Sequence, residues 1–274
     1  DKNLEIFCVT NKHFDFYNDI KYKFAAVGKN YFPSNYIRCD TKDNIFYKEE
    51  YYSELTFQYW FWKNELSNYS NNNWVGFCQK RRFWLQKKEN PDLNKIGDIL
   101  VGKENVKEQL LYNIPDEWKN YESVLFEPIY LNNLKLMKIF KRGLKSLIKD
   151  PAIIFNKNKQ TIKLHFDMFH GYGNLDLAIN VMHPKDKDDF KKFVNNSTSY
   201  NPHVVFISRP SIINKYFSDL FQWLDNCEKI FGFKFLKGYD TKRLYGFLAE
   251  RYTSFWFKKY TRAIEWPWVF IDLK

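Results

Sequence analysis

The chain has 274 residues, 45% of them hydrophobic, enough for one sizeable core and, at this length, at most a small second lobe. Its apolar runs, such as Phe231–Phe235 and Phe255–Phe257, are only a few residues long, far below the roughly 20 that a membrane helix needs. No leader pattern is read at the start, so a cytoplasmic protein is expected, at most peripheral at the inner face of a membrane. The net charge of +11 points to an anionic partner, for which a nucleotide diphosphate or an anionic lipid serves as well as nucleic acid.

Taken in chain order, Leu4–Thr10 alternates and becomes β-branched, which predicts a first strand running into the polar Asn11 and Lys12. Lys23–Val27, closed by Gly28, predicts a second strand. Tyr52, Leu55, Thr56, Tyr59, Trp60 and Lys63 recur at three- and four-residue steps and predict a helix over Glu49–Asn64. After a turn of Asn, Ser and Tyr, Trp74–Cys78 reads as a central buried strand that ends in Gln79, Lys80, Arg81 and Arg82. Further strands are expected at Ser123–Phe126 and Val204–Ser208, and helices at Ile212–Phe231 and Leu244–Phe257. Between them Leu134–Asp150 predicts a basic amphipathic helix, which either packs its apolar stripe on the domain or docks on an anionic membrane. Alternating strands and helices make an α/β protein with a mainly parallel sheet, whose ligands bind beyond the carboxyl ends of the strands.

Cys8, Cys39, Cys78 and Cys227 show neither a CxxC pair nor metal-ligand spacing and are expected as reduced core residues. Aromatic residues make up 20% of the chain, either as core packing or as carbohydrate-stacking surfaces. Polar chemistry gathers where strands end. Thr10, Asn11 and Lys12 follow the first strand, and Asp40–Asn44 precedes the helix at 49. Lys80, Arg81 and Arg82 either neutralise a diphosphate or form a solvated edge and ion pairs. His165, Asp167 and His170, with Asp176 beyond, either bind a metal, position a substrate hydroxyl or cap a core.

Several runs resemble a known family. Asp43-Asn44-Ile45 is followed by Tyr52 to Asn64 (YSELTFQYWFWKN) and by Val75 to Phe83 (VGFCQKRRF), then Trp118 to Tyr121, His170, Asp176 and Gly246 to Arg251 (GFLAER). Together they are similar to the DUF4422 family of GT-A-like glycosyltransferases of capsular and exopolysaccharide biosynthesis, over nearly the whole chain. The resemblance implies a GT-A-like, Rossmann-like sheet flanked by helices and transfer of a hexose, with galactose the leading choice, from a UDP-sugar to a glycan or lipid-linked acceptor. It implies one domain, with a nucleotide-binding half at about 1–130, a helical insertion at about 133–150 and an acceptor half at about 151–274. Gln79 and Lys80 stand where the family has His-Tyr.

Many GT-A enzymes hold Mn2+ with Asp-x-Asp at the end of the central strand; here that place reads Gln-Lys-Arg-Arg. Cationic side chains are therefore expected to share the metal's work on the UDP leaving group. The chain's Asp-x-Asp, Asp186 to Asp188, falls in what reads as a lysine-rich turn. Mn2+ or another divalent cation remains an alternative, held by His165, His170 or a nearby carboxylate. Glu250 is the expected acid-base group, with a structural pair to Arg251 or Arg243 as its alternative, and Asp176, His170 and Asp167 stand in reserve. Thr10, Lys12, Asn44, Lys48, Arg81, Arg82 and Arg251 are expected to bind the nucleotide sugar against an apolar wall of Val9 and Val27. Two rivals are a nucleic-acid-binding α/β protein, motivated by the charge, and a non-catalytic glycan-binding module, motivated by Trp60, Trp62, Trp74 and Trp84.

Overall fold

The protein is described by a computed structural model over residues 3–133 and 135–273. Its strands are β1 (Leu4–Thr10), β2 (Lys23–Ala26), β3 (Ile37–Arg38), β4 (Trp74–Gln79), β5 (Arg82–Trp84), β6 (Asn94–Ile96), β7 (Ile99–Gly102), β8 (Ser123–Phe126), β9 (Ile129–Tyr130), β10 (Ser199–Tyr200), β11 (Phe206–Ser208), β12 (Ala263–Trp266) and β13 (Trp268–Ile271). The helices are α1 (Glu49–Tyr52), α2 (Leu55–Asn64), α3 (Leu136–Arg142), α4 (Leu144–Lys149), α5 (Ile162–Phe169), α6 (Asn174–Asn180), α7 (Pro184–Asn196), α8 (Pro210–Phe231), α9 (Tyr239–Lys242) and α10 (Leu244–Tyr260).

β3, β2, β1 and β4 lie side by side and parallel, with Phe7 opposite Phe77 and Cys8 opposite Cys78 in the central pair. β11 pairs antiparallel with both β4 and β8, and β12 runs parallel to β8 at the edge. The period-2 alternation of β1 divides the interior: Phe7 and Val9 enter one apolar layer, Ile6 and Cys8 the other. Helices α2, α8 and α10 cover the first face. Trp84, Trp118 and Trp266, all fully buried, fill the second together with β5 and β13. The aromatic content is therefore largely core. Trp60 and Trp74 are buried too, and Trp62 stacks on Phe221 with centroids 5.6 Å apart, so this set forms no glycan platform. All four cysteines are buried and unpaired.

Local chemistry sets several boundaries. α8 starts two residues ahead of its periodic pattern because Pro210 occupies the first turn, where its missing N–H costs nothing. Thr161 caps α5 by accepting the Leu164 N–H at 3.3 Å, which fixes where His165 and His170 fall. Two expected helices are broken. The 49–64 helix divides at Ser53, whose φ of 49° is left-handed, and the break turns Glu54 toward the carboxyl edge of the sheet. The basic helix divides at Gly143, where a Cβ would lie 2.7 Å from the Ile139 carbonyl oxygen; its expected first residue, Leu134, lies outside the described residues. The expected lysine-rich turn is instead the start of α7, where Asp186 is buried and accepts from Tyr252 at 3.1 Å, Tyr260 at 2.5 Å and Lys259 at 3.0 Å. Among the described residues no helix is long and apolar enough to cross a membrane.

Gly76 on β4 lies directly opposite Ile207 on β11. A Cβ there would meet Ile207 Cγ1 at 2.4 Å. Gly76→Ala is expected to destabilise the protein by about 1–3 kcal/mol through overpacking, and Ile207→Ala in the same chain to recover part of that loss. Urea midpoints of the two single variants and the double variant check this; strictly additive losses would rule out the steric cause.

Candidate functional site

The carboxyl ends of β1, β2 and β4 open into a cavity of about 450 Å3, closed on the far side by α5, the 200–204 segment and α10. Val9, Asn11 and Val27 form one wall, and Lys80 and Arg82 project from the end of the central strand. Lys80 Nζ donates to Asn11 Oδ1 at 2.8 Å. Burial, with Arg81, Arg243 and Arg82 nearby, lowers the Lys80 pKa; burial likewise lowers that of Arg82, against the pull of Glu250 and Glu54. Arg243 and Arg251 bring two further guanidinium groups to the lining. A cavity with this many crowded cations is suited to an anion of more than one charge.

Arg251 is buried at the floor. Nη1 donates to the Phe247 carbonyl at 3.3 Å and pairs with Glu250 Oε2, while Nη2 lies 3.2 Å from His165 Nδ1 and 3.4 Å from His170 Nε2. Its guanidinium carbon stands 4.6 Å from the centroid of the Tyr200 ring. Glu250 accepts the His203 backbone N–H at 2.6 Å through its other oxygen, so both of its carboxylate oxygens are engaged. His170 donates from Nδ1 to the Asp240 carbonyl at 2.9 Å and stacks on Phe247 with centroids 3.7 Å apart. Burial, followed by Arg251, pushes His170 down to about 3, and the same two causes hold His165 well below its ordinary value. Both imidazoles are thus neutral and turn nitrogens toward a fixed cation.

That arrangement bears on the two imidazoles expected as metal ligands. Arg251 engages His165 Nδ1 and His170 Nε2, and its charge opposes a divalent cation at those two nitrogens. Among the described residues no group of three or more His, Cys, Asp or Glu is placed to hold a metal.

Other expected site residues are distributed unevenly. Val9, Val27, Arg82, His165, His170, Glu250 and Arg251 line the cavity. Thr10 does not; its hydroxyl donates to the Lys12 carbonyl at 2.5 Å and shapes the loop, while Lys12 lies over the Phe14 ring. Asn44 closes its own turn by accepting the Phe46 N–H at 3.1 Å, and Lys48 pairs with Glu228 at 2.6 Å. Arg81 points away and donates to the Leu273 carbonyl at 2.6 Å. Asp167 and Asp176 share Lys163 outside the cavity, with Asp167 also accepting the Gly173 N–H at 3.1 Å. None of these seven side chains lines the cavity, and each has a local or structural partner.

The residues missed by sequence reasoning are Glu54, Tyr200, His203, Tyr239 and Arg243. Glu54 accepts from Gln79 Nε2 at 2.5 Å through Oε1, and among the described residues its Oε2 has no hydrogen-bond partner. Its signal was present: it sits in the YSELT run, but helix periodicity absorbed it. His203 adopts φ 66°, a strained conformation for a residue with a side chain, and its burial near Arg82 and Arg251 also lowers its pKa.

Parallel strands whose carboxyl ends open into a cavity are where α/β folds place their ligands. The chain belongs to the family described as a domain of unknown function (DUF4422), whose profile matches residues 5–261. In structure it is similar to WbbM, a bifunctional glycosyltransferase solved in its apo form, with a TM-score of 0.68 and 20% identity over 98% of this chain and 45% of that one. The chain therefore spans under half of that protein's length, and what the two share is the GT-A-like fold. No curated protein matches the chain.

The depressed His170 pKa carries a pH consequence. An unfolded imidazole takes up a proton near pH 6.5, while the folded one resists until about 3, so the folded state loses stability as pH falls from about 6.5 towards 3. Thermal melts across that window are expected to fall less steeply for His170→Gln than for the unmodified protein. Equal slopes would show that His170 is not held neutral.

Proposed function

We propose that the protein is a glycosyltransferase that moves a hexose, galactose first among the candidates, from a UDP-sugar to a glycan or lipid-linked acceptor. The observation that carries this reading is the cavity itself: an apolar wall of Val9 and Val27 beside Lys80, Arg82 and Arg243, at the carboxyl edge of parallel strands. Its family and its fold support the same reading. The cavity draws on both the expected nucleotide half, from Val9 to Arg82, and the expected acceptor half, from His165 to Arg251.

In this reading the base lies against Val9 and Val27, and Lys80, Arg82 and Arg243 face the diphosphate. As the bond between the anomeric carbon and the diphosphate oxygen breaks, UDP gains negative charge, and cations held in place without reorganisation stabilise it most. Glu54, with one carboxylate oxygen uncommitted, accepts the proton of the acceptor hydroxyl as that oxygen attacks the anomeric carbon. Glu250 holds Arg251 in position, a structural role that replaces its expected acid-base role.

UDP binding by titration calorimetry is expected to weaken at least tenfold in Arg82→Ala and in Arg243→Ala, since a charge-assisted hydrogen bond contributes about 1.5–3 kcal/mol. Glu54→Gln is expected to retain UDP-sugar affinity and lose roughly a hundredfold or more in UDP release. Release that survives in Glu54→Gln but vanishes in Glu250→Gln returns the base role to Glu250. If no nucleotide sugar binds, with or without Mn2+, the transferase reading fails. Turnover is also expected to persist in EDTA, because fixed cations occupy the place of a metal; abolition by EDTA and rescue by Mn2+ would overturn that assignment.

A further inference from the structure

We propose that the helix pair α3–α4 docks the protein onto an anionic lipid bilayer. The pair is anchored from below by Ile139 and Leu147, which join Ile153, Leu164 and Met168 in a small apolar cluster of their own. Its outer side carries a second set of apolar side chains that nothing among the described residues covers. Met137 is 80% exposed, Phe140 53%, Leu144 59% and Ile148 75%, and Phe155 just beyond is 88% exposed. The first two are three residues apart on α3 and the next two are four apart on α4, so each pair shares a helix face. Exposed apolar residues scattered singly need no explanation, but a run of this length marks a contact surface.

Charge identifies the contact. Each of those four apolar residues is followed directly by a lysine, namely Lys138, Lys141, Lys145 and Lys149, all exposed. Residues 135–159 hold eight Lys or Arg and one acid, Asp150, a net of +7 against +11 for the entire chain. Apolar side chains that enter the acyl boundary, next to lysines that reach the headgroups, are what a bilayer with anionic lipid binds. A second copy of the same surface would set +7 against +7. Nucleic acid would use the lysines and leave the apolar run in water.

The surface adjoins the cavity. Arg142 pairs with Asp240 at 3.0 Å, the Asp240 carbonyl holds His170, and neighbouring Tyr239 lines the cavity. Docking would hold this side of the cavity near the membrane, where a lipid-linked acceptor resides, although lipid binding itself does not depend on the transferase reading.

The test is co-sedimentation of the full chain with vesicles of phosphatidylcholine, with and without phosphatidylglycerol. Binding is expected only with phosphatidylglycerol, weakening with salt. Phe140→Glu with Ile148→Glu is expected to reduce it at least tenfold, and each of Lys138→Gln and Lys145→Gln by about fivefold. Because these side chains are exposed, thermal melts should be unchanged, which separates lost binding from lost folding. Equal binding to both vesicle types, or full binding by the double Glu variant, would overturn the proposal. So would a dimer in sedimentation velocity that the same variants dissolve, or DNA binding that ignores the two Glu substitutions while vesicles do not bind.

Discussion

A guanidinium buried at the base of a cavity has to be satisfied where it stands, because an uncompensated charge away from water costs several kcal/mol. Arg251 meets most of that demand through its two Nη atoms, which reach Glu250 beside it on α10, the Phe247 carbonyl a turn earlier and the imidazoles of His165 and His170, and through the Tyr200 ring, while its Nε has no hydrogen-bond partner among the described residues. α5, α10 and the segment around 200–203 are tied to one another through it. Burial, reinforced by the same charge, keeps both histidines neutral.

The opposite wall follows from a different constraint. Parallel strands buried on both faces end together, so their last residues and first loop residues share one edge. Val9 on β1 and Asn11 just after it, Val27 after β2, and Gln79 on β4 with Lys80 just after it meet there for that reason. The cavity is the gap between this edge and the Arg251 network. Its two carboxylates divide accordingly: Glu250 belongs to the network, and Glu54, presented by the break at Ser53, belongs to the edge.

The basic helix pair shows how one residue redirects a pattern. Continuous helical spacing would have put most of the apolar residues of this stretch on one buried stripe. Gly143 interrupts it, and Ile139 and Leu147 turn inward while Met137, Phe140, Leu144 and Ile148 stay in solvent.

Period-2 and period-3.6 patterns were sufficient to read β1, β4, β8, α8 and α10 from the sequence, because each buries a regular face and regular faces leave a regular code. The clustering of charge at the end of the central strand was equally legible, and so was the identity of the GFLAER run. Which of those charges face the cavity was not. Arg81 and Arg82 are adjacent and chemically identical, yet the hairpin from β4 to β5 sends one to the Leu273 carbonyl and the other to the cavity. Lys48, Asp176 and Asn44 looked equally available until the fold supplied Glu228, Lys163 and a local turn as partners. Local composition determines what a side chain can bind. Only long-range packing decides which groups its neighbours have already satisfied and which are left for a ligand.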